Sequence, residues 1–198
     1  MSNLSDLGIS NNYITGTVHS SIGLLNSLKE LWMGGNSLTG RMASEIGLLA
    51  SLKSLGFGDV EDYKCAEIDK LSDAQTVLCS KKKGNNFTGS LATELGLLKK
   101  LKYLIFQENR LSSTIPSELG LLTELAMLNL LYNEIVGDIL SKLAAIPSPF
   151  RMQLMGNELS GSFSLELCPI LRKTEEENNI LQVNCSTVDC AACNCTAR

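Results

Sequence analysis

Leu31-Trp32-Met33-Gly34-Gly35-Asn36-Ser37-Leu38-Thr39-Gly40 decides the architecture, because the same phrase returns along the chain. Its Asn-x-apolar-(Ser/Thr/Val)-(Gly/Ser) part starts at Asn12, Asn36, Asn85, Asn109, Asn133 and Asn157, in steps of 24, 49, 24, 24 and 24 residues. The long step holds one further coil, interrupted by about 25 extra residues. Upstream of the phrase two apolar residues flank a third: Leu7/Ile9, Leu31/Met33, Leu55/Phe57, Leu104/Phe106, Leu128/Leu130 and Met152/Leu154. Downstream, Ile-Gly-Leu-Leu or Leu-Gly-Leu-Leu starts at Ile22, Ile46, Leu95 and Leu119. Leucine makes up 35 of the 198 residues, about twice a common globular share, and the periodicity accounts for the excess.

The physics of one coil follows from the pattern. A short strand of alternating character puts Leu31 and Met33 on one face and Glu30, Trp32 and Gly34 on the other. A single 24-residue coil cannot bury its leucines alone, so coils must stack, with parallel strands about 4.8 Å apart. The recurring Asn is flanked by apolar residues and is expected to be buried. A buried amide without partners costs several kcal/mol, so it must bond the backbone of its own coil and of the next one.

At this point the chain resembles a known family. Asn109-Arg110-Leu111-Ser112-Ser113-Thr114-Ile115-Pro116-Ser117-Glu118-Leu119-Gly120 is similar to the plant-type leucine-rich repeat, N-x-L-(S/T)-G-x-I-P-x-x-L-G. That subclass includes ectodomains of receptor-like kinases and polygalacturonase-inhibiting proteins, and the Gly-Leu-Leu units also resemble repeat proteins of diatoms and algae. The resemblance implies a leucine-rich-repeat solenoid of the α/β horseshoe type. About seven 24-residue coils would give a parallel concave β-sheet, with a mostly irregular, 3-10 or short-helix convex side. It also implies a second short strand near the T-G-x-I-P stretch. Only Ile115-Pro116 keeps the Ile-Pro pair; Thr17-Val18-His19, Arg41-Met42-Ala43 and Ser90-Leu91-Ala92 replace it elsewhere, which leaves the local convex geometry open.

The solenoid is expected over residues 1–167, and a Cys-rich cap or tail over 168–198. The first coil starts in register at Leu4, Leu7 and Ile9, with no basic segment and apolar run of a signal peptide before it. A truncated gene product or an excised piece is therefore expected, with an uncapped first coil able to self-associate. Residues 59–84 break the period. Within them Ile68, Leu71 and Leu78 suit one helix face, and a Cys65–Cys79 disulfide would close a 15-residue loop worth about 3 kcal/mol. This insert is either a tolerated surface excursion or an island that reshapes the binding surface. In the tail, Cys168, Cys185, Cys190, Cys193 and Cys195 suit a disulfide-bonded cap of undetermined pairing. A zinc site on Cys190 and Cys193 is the rival, but the cysteines crowd too closely for a tetrahedral shell. Sequons at Asn3, Asn86, Asn184 and Asn194, together with seven Cys, point to a secreted or cell-surface protein.

Composition narrows the function. A net charge of −4 offers no basic face for nucleic acid or anionic membranes. No phosphate-binding, hydrolase, zinc-protease or kinase phrase occurs, and no apolar run reaches the 18 or so residues of a membrane span. No enzyme, metal or cofactor is expected. The single histidine, His19, takes the slot of Pro116 and reads as an exposed, inert imidazole. Glu45, Glu94, Glu118 and Glu166 share one repeat position and read as a solvated column rather than a cation ladder.

The informative surface is the outward row of the strands. One column holds Gly8, Trp32, Gly56, Ile105, Asn129 and Gln153; its neighbours hold Glu30, Tyr103, Met127 and Arg151, then Gly34, Gln107, Leu131 and Met155. Trp32, Ile105, Met127, Leu131 and Met155 are expected to project as exposed apolar groups rimmed by Glu30, Gln107 and Arg151. Such a patch suits a protein, peptide or glycan, as in a receptor ectodomain or a hydrolase inhibitor. The alternative is a structural, matrix or ice-adhering solenoid that uses its convex face. There Arg41 and Asp138 interrupt the column of Thr17, Ser90, Thr114 and Ser162, against the unbroken threonine rows that ice favours.

Overall fold

The structure, a computed structural model, describes residues 3–58, 84–138, 143, 146 and 151–160, and the backbone of 161–162, 181–182 and 188–189. The Cys65–Cys79 loop, the five tail cysteines, and the sequons at Asn184 and Asn194 lie outside the described residues.

Each coil starts with a three-residue strand whose middle residue faces the core, partly buried in the first (Leu7) and buried in the other five. These are β1 (Asp6–Gly8), β3 (Glu30–Trp32), β5 (Ser54–Gly56), β7 (Tyr103–Ile105), β9 (Met127–Asn129) and β11 (Arg151–Gln153). They pair in parallel in that order, and β14 (Leu181–Gln182), from the tail, adds a seventh strand beside β11. The sheet thus has six repeat strands and one contributed by the C-terminal segment. The coil that the insert interrupts keeps its place, because β5 pairs with both β3 and β7. Gly84, counted with the insert on sequence grounds, packs with the coil: a Cβ there would sit 2.0 Å from the Glu108 carbonyl oxygen.

A second parallel sheet runs beside the first. It is built from β2 (Thr15–Gly16), β4 (Ser37–Gly40), β6 (Asn86–Gly89), β8 (Arg110–Ser113), β10 (Glu134–Gly137) and β12 (Glu158–Leu159). A further pair joins β13 (Gly161–Ser162) to β15 (Val188–Asp189). The second sheet forms in coils that lack Ile-Pro, so the Asn-x-Leu-Thr-Gly phrase suffices to make it. Its pairing is staggered: Thr15 faces Ser37, Thr39 faces Asn86, and Thr88 faces Arg110. The first sheet instead keeps the repeat in register, with Glu30 opposite Ser54 and Ser54 opposite Tyr103.

In four coils the far side is a single 3-10 turn: Ser20–Leu24, Ser44–Leu48, Thr93–Leu97 and Ser117–Leu121. Here the glycine of Ile-Gly-Leu-Leu has its reason. A Cβ at Gly23, Gly47 or Gly96 would lie 2.6–2.7 Å from the carbonyl oxygen of Glu45, Glu94 or Glu118 in the next coil. Only a residue without a side chain lets the turns stack this closely.

Between the sheets and these turns the leucines form one continuous core running from Leu28 to Leu159, each fully buried side chain contributing roughly 1.5–3 kcal/mol. Phe57 anchors it, with ring centroids 4.7 Å from Phe87 and 4.9 Å from Phe106. Aromatic pairs at such tilted and edge-on angles add to the packing energy.

The asparagines hold the coils together. Asn109 Nδ2 donates to the carbonyls of Phe106 and Gln107 in its own coil (both 3.1 Å) and of Phe57 in the coil before (3.4 Å). Its Oδ1 accepts from the Phe87 N–H at 3.1 Å. Asn36, Asn85, Asn133 and Asn157 repeat the pattern with Ile14, Leu38, Leu111 and Ile135 as donors. The bonds therefore reach back to the preceding coil, not forward to the next one as the sequence suggested. Asn12, in the first coil, bonds Ile9 and Ser10 of that coil alone among the described residues and is exposed, contrary to the expected burial.

Candidate recognition surface on the concave sheet

The in-register pairing places Gly8, Trp32, Gly56, Ile105, Asn129 and Gln153 side by side, and next to them Asp6, Glu30, Ser54, Tyr103, Met127 and Arg151. Each residue sits at the outward position of its own strand, so alternation alone assigns it to this face.

Side chains on this face lean on one another. Ile105 and Met127 form a small cluster of their own, separate from the main core, with Trp32 and Tyr103 packed against it. Ile105 is 2% and Met127 3% exposed, which corrects the expectation that both project into solvent. Trp32, Leu131 and Met155 are half-buried rather than fully exposed. Gln107, expected on the rim, is buried, as are Asn129 and Gln153. Asn129 Nδ2 donates to Gln107 Oε1 in the preceding coil, and Asn129 Oδ1 accepts from the Leu131 N–H at 3.1 Å. Neighbouring strands only about 4.8 Å apart bring these side chains into contact, and they cover each other. Of the candidate residues, Glu30 is exposed, and Trp32, Tyr103, Leu131, Arg151 and Met155 are partly accessible.

Around Trp32 the face opens into a depression of about 650 Å³ lined by Ser10, Glu30, Trp32, Ser54, Tyr103 and Ile105, with Gly8 in its floor. Two glycines make it. A Cβ on Gly56 would fall 2.2 Å from Trp32 Cε3, so the indole lies across the Gly56 backbone. On the other side a Cβ on Gly8 would meet nothing within 4 Å. Trp32 Nε1 donates to Glu30 Oε2 at 3.0 Å, which fixes carboxylate and ring together. Ser10 Oγ is buried and has no hydrogen-bond partner among the described residues. The sequence singled out Glu30, Trp32 and Tyr103. It did not mark Ser10 or Ser54, which only the register brings into the same wall.

The other candidates lie elsewhere. His19 is exposed and caps the first 3-10 turn, its Nδ1 accepting from the Ser21 N–H at 3.1 Å. Glu45, Glu94 and Glu118 are half-buried, and each accepts from the hydroxyl of the residue before it: Ser44, Thr93 and Ser117. Among the described residues no three His, Cys, Asp or Glu side chains gather where they could hold a metal ion. No described helix is long and apolar enough to cross a membrane. Asn3 and Asn86 are both exposed.

Comparison with known proteins follows this geometry. The Leucine Rich Repeat family model matches residues 100–122. No curated protein sequence matches the chain. Among solved structures, the Arabidopsis receptor kinase HAESA, in complex with the peptide hormone IDA and the co-receptor SERK1, is similar at 27% identity and a TM-score of 0.72. The match covers 92% of this chain and 25% of that one. The plant peptide hormone receptor RGFR1, in complex with RGF2, is 23% identical at a TM-score of 0.70, over 84% of this chain and 23% of the receptor. A plant ice-binding protein is 24% identical at a TM-score of 0.66, over 82% and 45% of the two chains. This chain thus spans less than half the length of each.

Proposed function

We propose, for this leucine-rich-repeat chain of the plant type, that it is a non-enzymatic recognition module working outside the cell, with a peptide or protein segment bound across the concave sheet. The observation that carries the reading is the Trp32 depression: two aromatic rings, a carboxylate and two hydroxyls converge on open space above a rigid sheet. Half-buried Trp and Tyr beside a fully packed apolar base have the composition of a binding hot spot. HAESA, the similar structure of highest TM-score among those named above, was solved with a peptide hormone, which supports a peptide ligand here over a glycan. A receptor-ectodomain-like role fits this better than an inhibitor of a hydrolase.

A matrix- or ice-adhering role has less behind it. The staggered second sheet sets Thr15, Thr39 and Thr88 opposite Ser37, Asn86 and Arg110, so no flat threonine row forms there. Arg41 and Asp138 are exposed within the convex column.

The test is selection of binders from a random peptide display library on the immobilised protein, followed by binding of the selected peptides to a Trp32→Ala/Tyr103→Ala variant. The expected result is loss of binding with a cooperative unfolding transition retained at a lowered melting temperature, since both rings pack against Ile105 and Met127. Selected peptides that bind the variant as well as the parent would refute the concave reading, and thermal hysteresis or inhibition of ice recrystallisation would favour the adhering role.

A further inference from the structure

We propose that the Trp32 depression is a cation site: it takes one lysine or arginine side chain of an extended peptide laid across the strands. This deepens the concave reading and rests on it.

Three observations point the same way. The wall contains a carboxylate, Glu30, and two aromatic rings, Trp32 and Tyr103, and no lysine or arginine. Lys29, next to Glu30 in the chain, is not part of it. The residue paired with Glu30 on the outer strand is a second carboxylate, Asp6, so the negative charge extends along the sheet at this end. Finally, Trp32 Nε1 holds Glu30 Oε2 at 3.0 Å, which leaves the other carboxylate oxygen for a ligand and fixes the carboxylate beside the indole. A cation over an aromatic face is attracted by the ring quadrupole, and a carboxylate at its edge supplies the counter-charge. An apolar ligand side chain would fill the volume but leave the carboxylate without a gain. An acidic one would be repelled by Glu30 and Asp6.

The floor admits the ligand on the Gly8 side. Gly8 is exposed, its φ is not in the left-handed region, and a Cβ there meets nothing within 4 Å. Gly8→Phe would therefore occupy the site without disturbing the coil, and Glu30→Gln would remove its charge while keeping its shape.

Trp32 is the only tryptophan in the chain, so its fluorescence reports on this site alone. The probes are the N-acetyl methylamides of arginine, lysine, norleucine and glutamate, titrated against the full chain. The arginine and lysine probes are expected to change the emission saturably, with dissociation constants on the order of millimolar. Norleucine and glutamate should not. Glu30→Gln should weaken the arginine probe by roughly threefold to fivefold, the scale of a partly exposed ion pair. Gly8→Phe should abolish the response at an unchanged melting temperature, and raised salt should weaken the parent.

No saturable change with arginine or lysine, an equal response to norleucine, or indifference to both Glu30→Gln and salt would each overturn the cation site. Display-selected peptides that need Trp32 and Tyr103 yet ignore Glu30→Gln would overturn it while the concave reading stands. Peptides indifferent to the aromatic pair would end that reading itself.

Discussion

Trp32 lies across Gly56 of the following coil, so close that a single methyl group on Gly56 would overlap the Cε3 and Cζ3 atoms of the indole at 2.2 and 2.4 Å. The two residues are directly paired on β3 and β5, and the missing side chain of one sets the orientation of the other. The depression beside Glu30 and Tyr103 exists because of that relationship.

Gly56→Ala therefore displaces the ring. Trp32 is half-buried and can swing outward, so the expected loss of stability is at the low end of overpacking, about 1 kcal/mol. A shifted tryptophan emission and a lower melting temperature are the measurements, and binding through the concave face should fall with them.

Gly96→Ala should cost more, about 2–3 kcal/mol, because the obstacle is backbone and cannot move aside. Its Cβ would sit 2.6 Å from the Glu118 carbonyl oxygen, forcing two coils apart. Leu97→Ala, at a neighbouring position that is 58% exposed, should stay within about 0.5 kcal/mol. Urea unfolding of the pair checks this contrast.

Removing a ladder asparagine exposes the cost of unsatisfied backbone. Asn109→Ala leaves the buried Phe87 N–H without its acceptor and strips donors from three carbonyls. The Phe57 and Phe106 carbonyls keep a second donor each, Asn85 Nδ2 and Asn133 Nδ2, so the Phe87 N–H is the group left without a partner, and at about 1–3 kcal/mol for such a group a loss of about 2–3 kcal/mol is expected. Asn12→Ala, at an exposed site bonded only within its own coil, should cost about 1 kcal/mol or less. Equal losses at the two positions would mean that the coil-to-coil bonds contribute little.

Ser113 holds φ +74 where the other coils place a glycine: Gly16, Gly40, Gly89 and Gly137, at φ +92, +86, +77 and +83. Ser113→Gly relieves a left-handed backbone and should stabilise by up to about 1 kcal/mol, net of the entropy that glycine adds to the unfolded chain. Gly137→Ala should do the opposite, since its Cβ would also meet Thr114 Cγ2 at 2.8 Å. Thermal melts of both variants decide it.

Much of this fold is legible in the sequence because one repeat position has one physical job in every coil. Leu31, Leu55, Leu104 and Leu128 are buried by alternation, and at Asn36, Asn85, Asn109 and Asn133 three or four hydrogen bonds depend on an amide of that length. What the sequence leaves out depends on neighbouring coils. Whether Ile105 and Met127 project or lean together is decided by their contact with each other, 22 positions apart in the chain, and they lean together. The stagger of the second sheet is likewise invisible in a strict 24-residue period. So is the left-handed residue before Asn12, Asn36, Asn109, Asn133 and Asn157. Gly35 and Gly156 advertise it, but Glu108 and Tyr132 adopt it at φ +54 and +53 without any compositional sign. The concave columns were readable as a list of residues, while the depression needed the contact between Trp32 and Gly56.

Hydrogen–deuterium exchange of the protein with and without a display-selected peptide tests the recognition surface most directly. The account predicts slowed exchange in 30–34, 54–58 and 103–107, along the strands that carry Trp32, Gly56 and Tyr103. Protection confined to 37–40, 86–89 and 110–113 of the second sheet, with the concave strands unchanged, would contradict it.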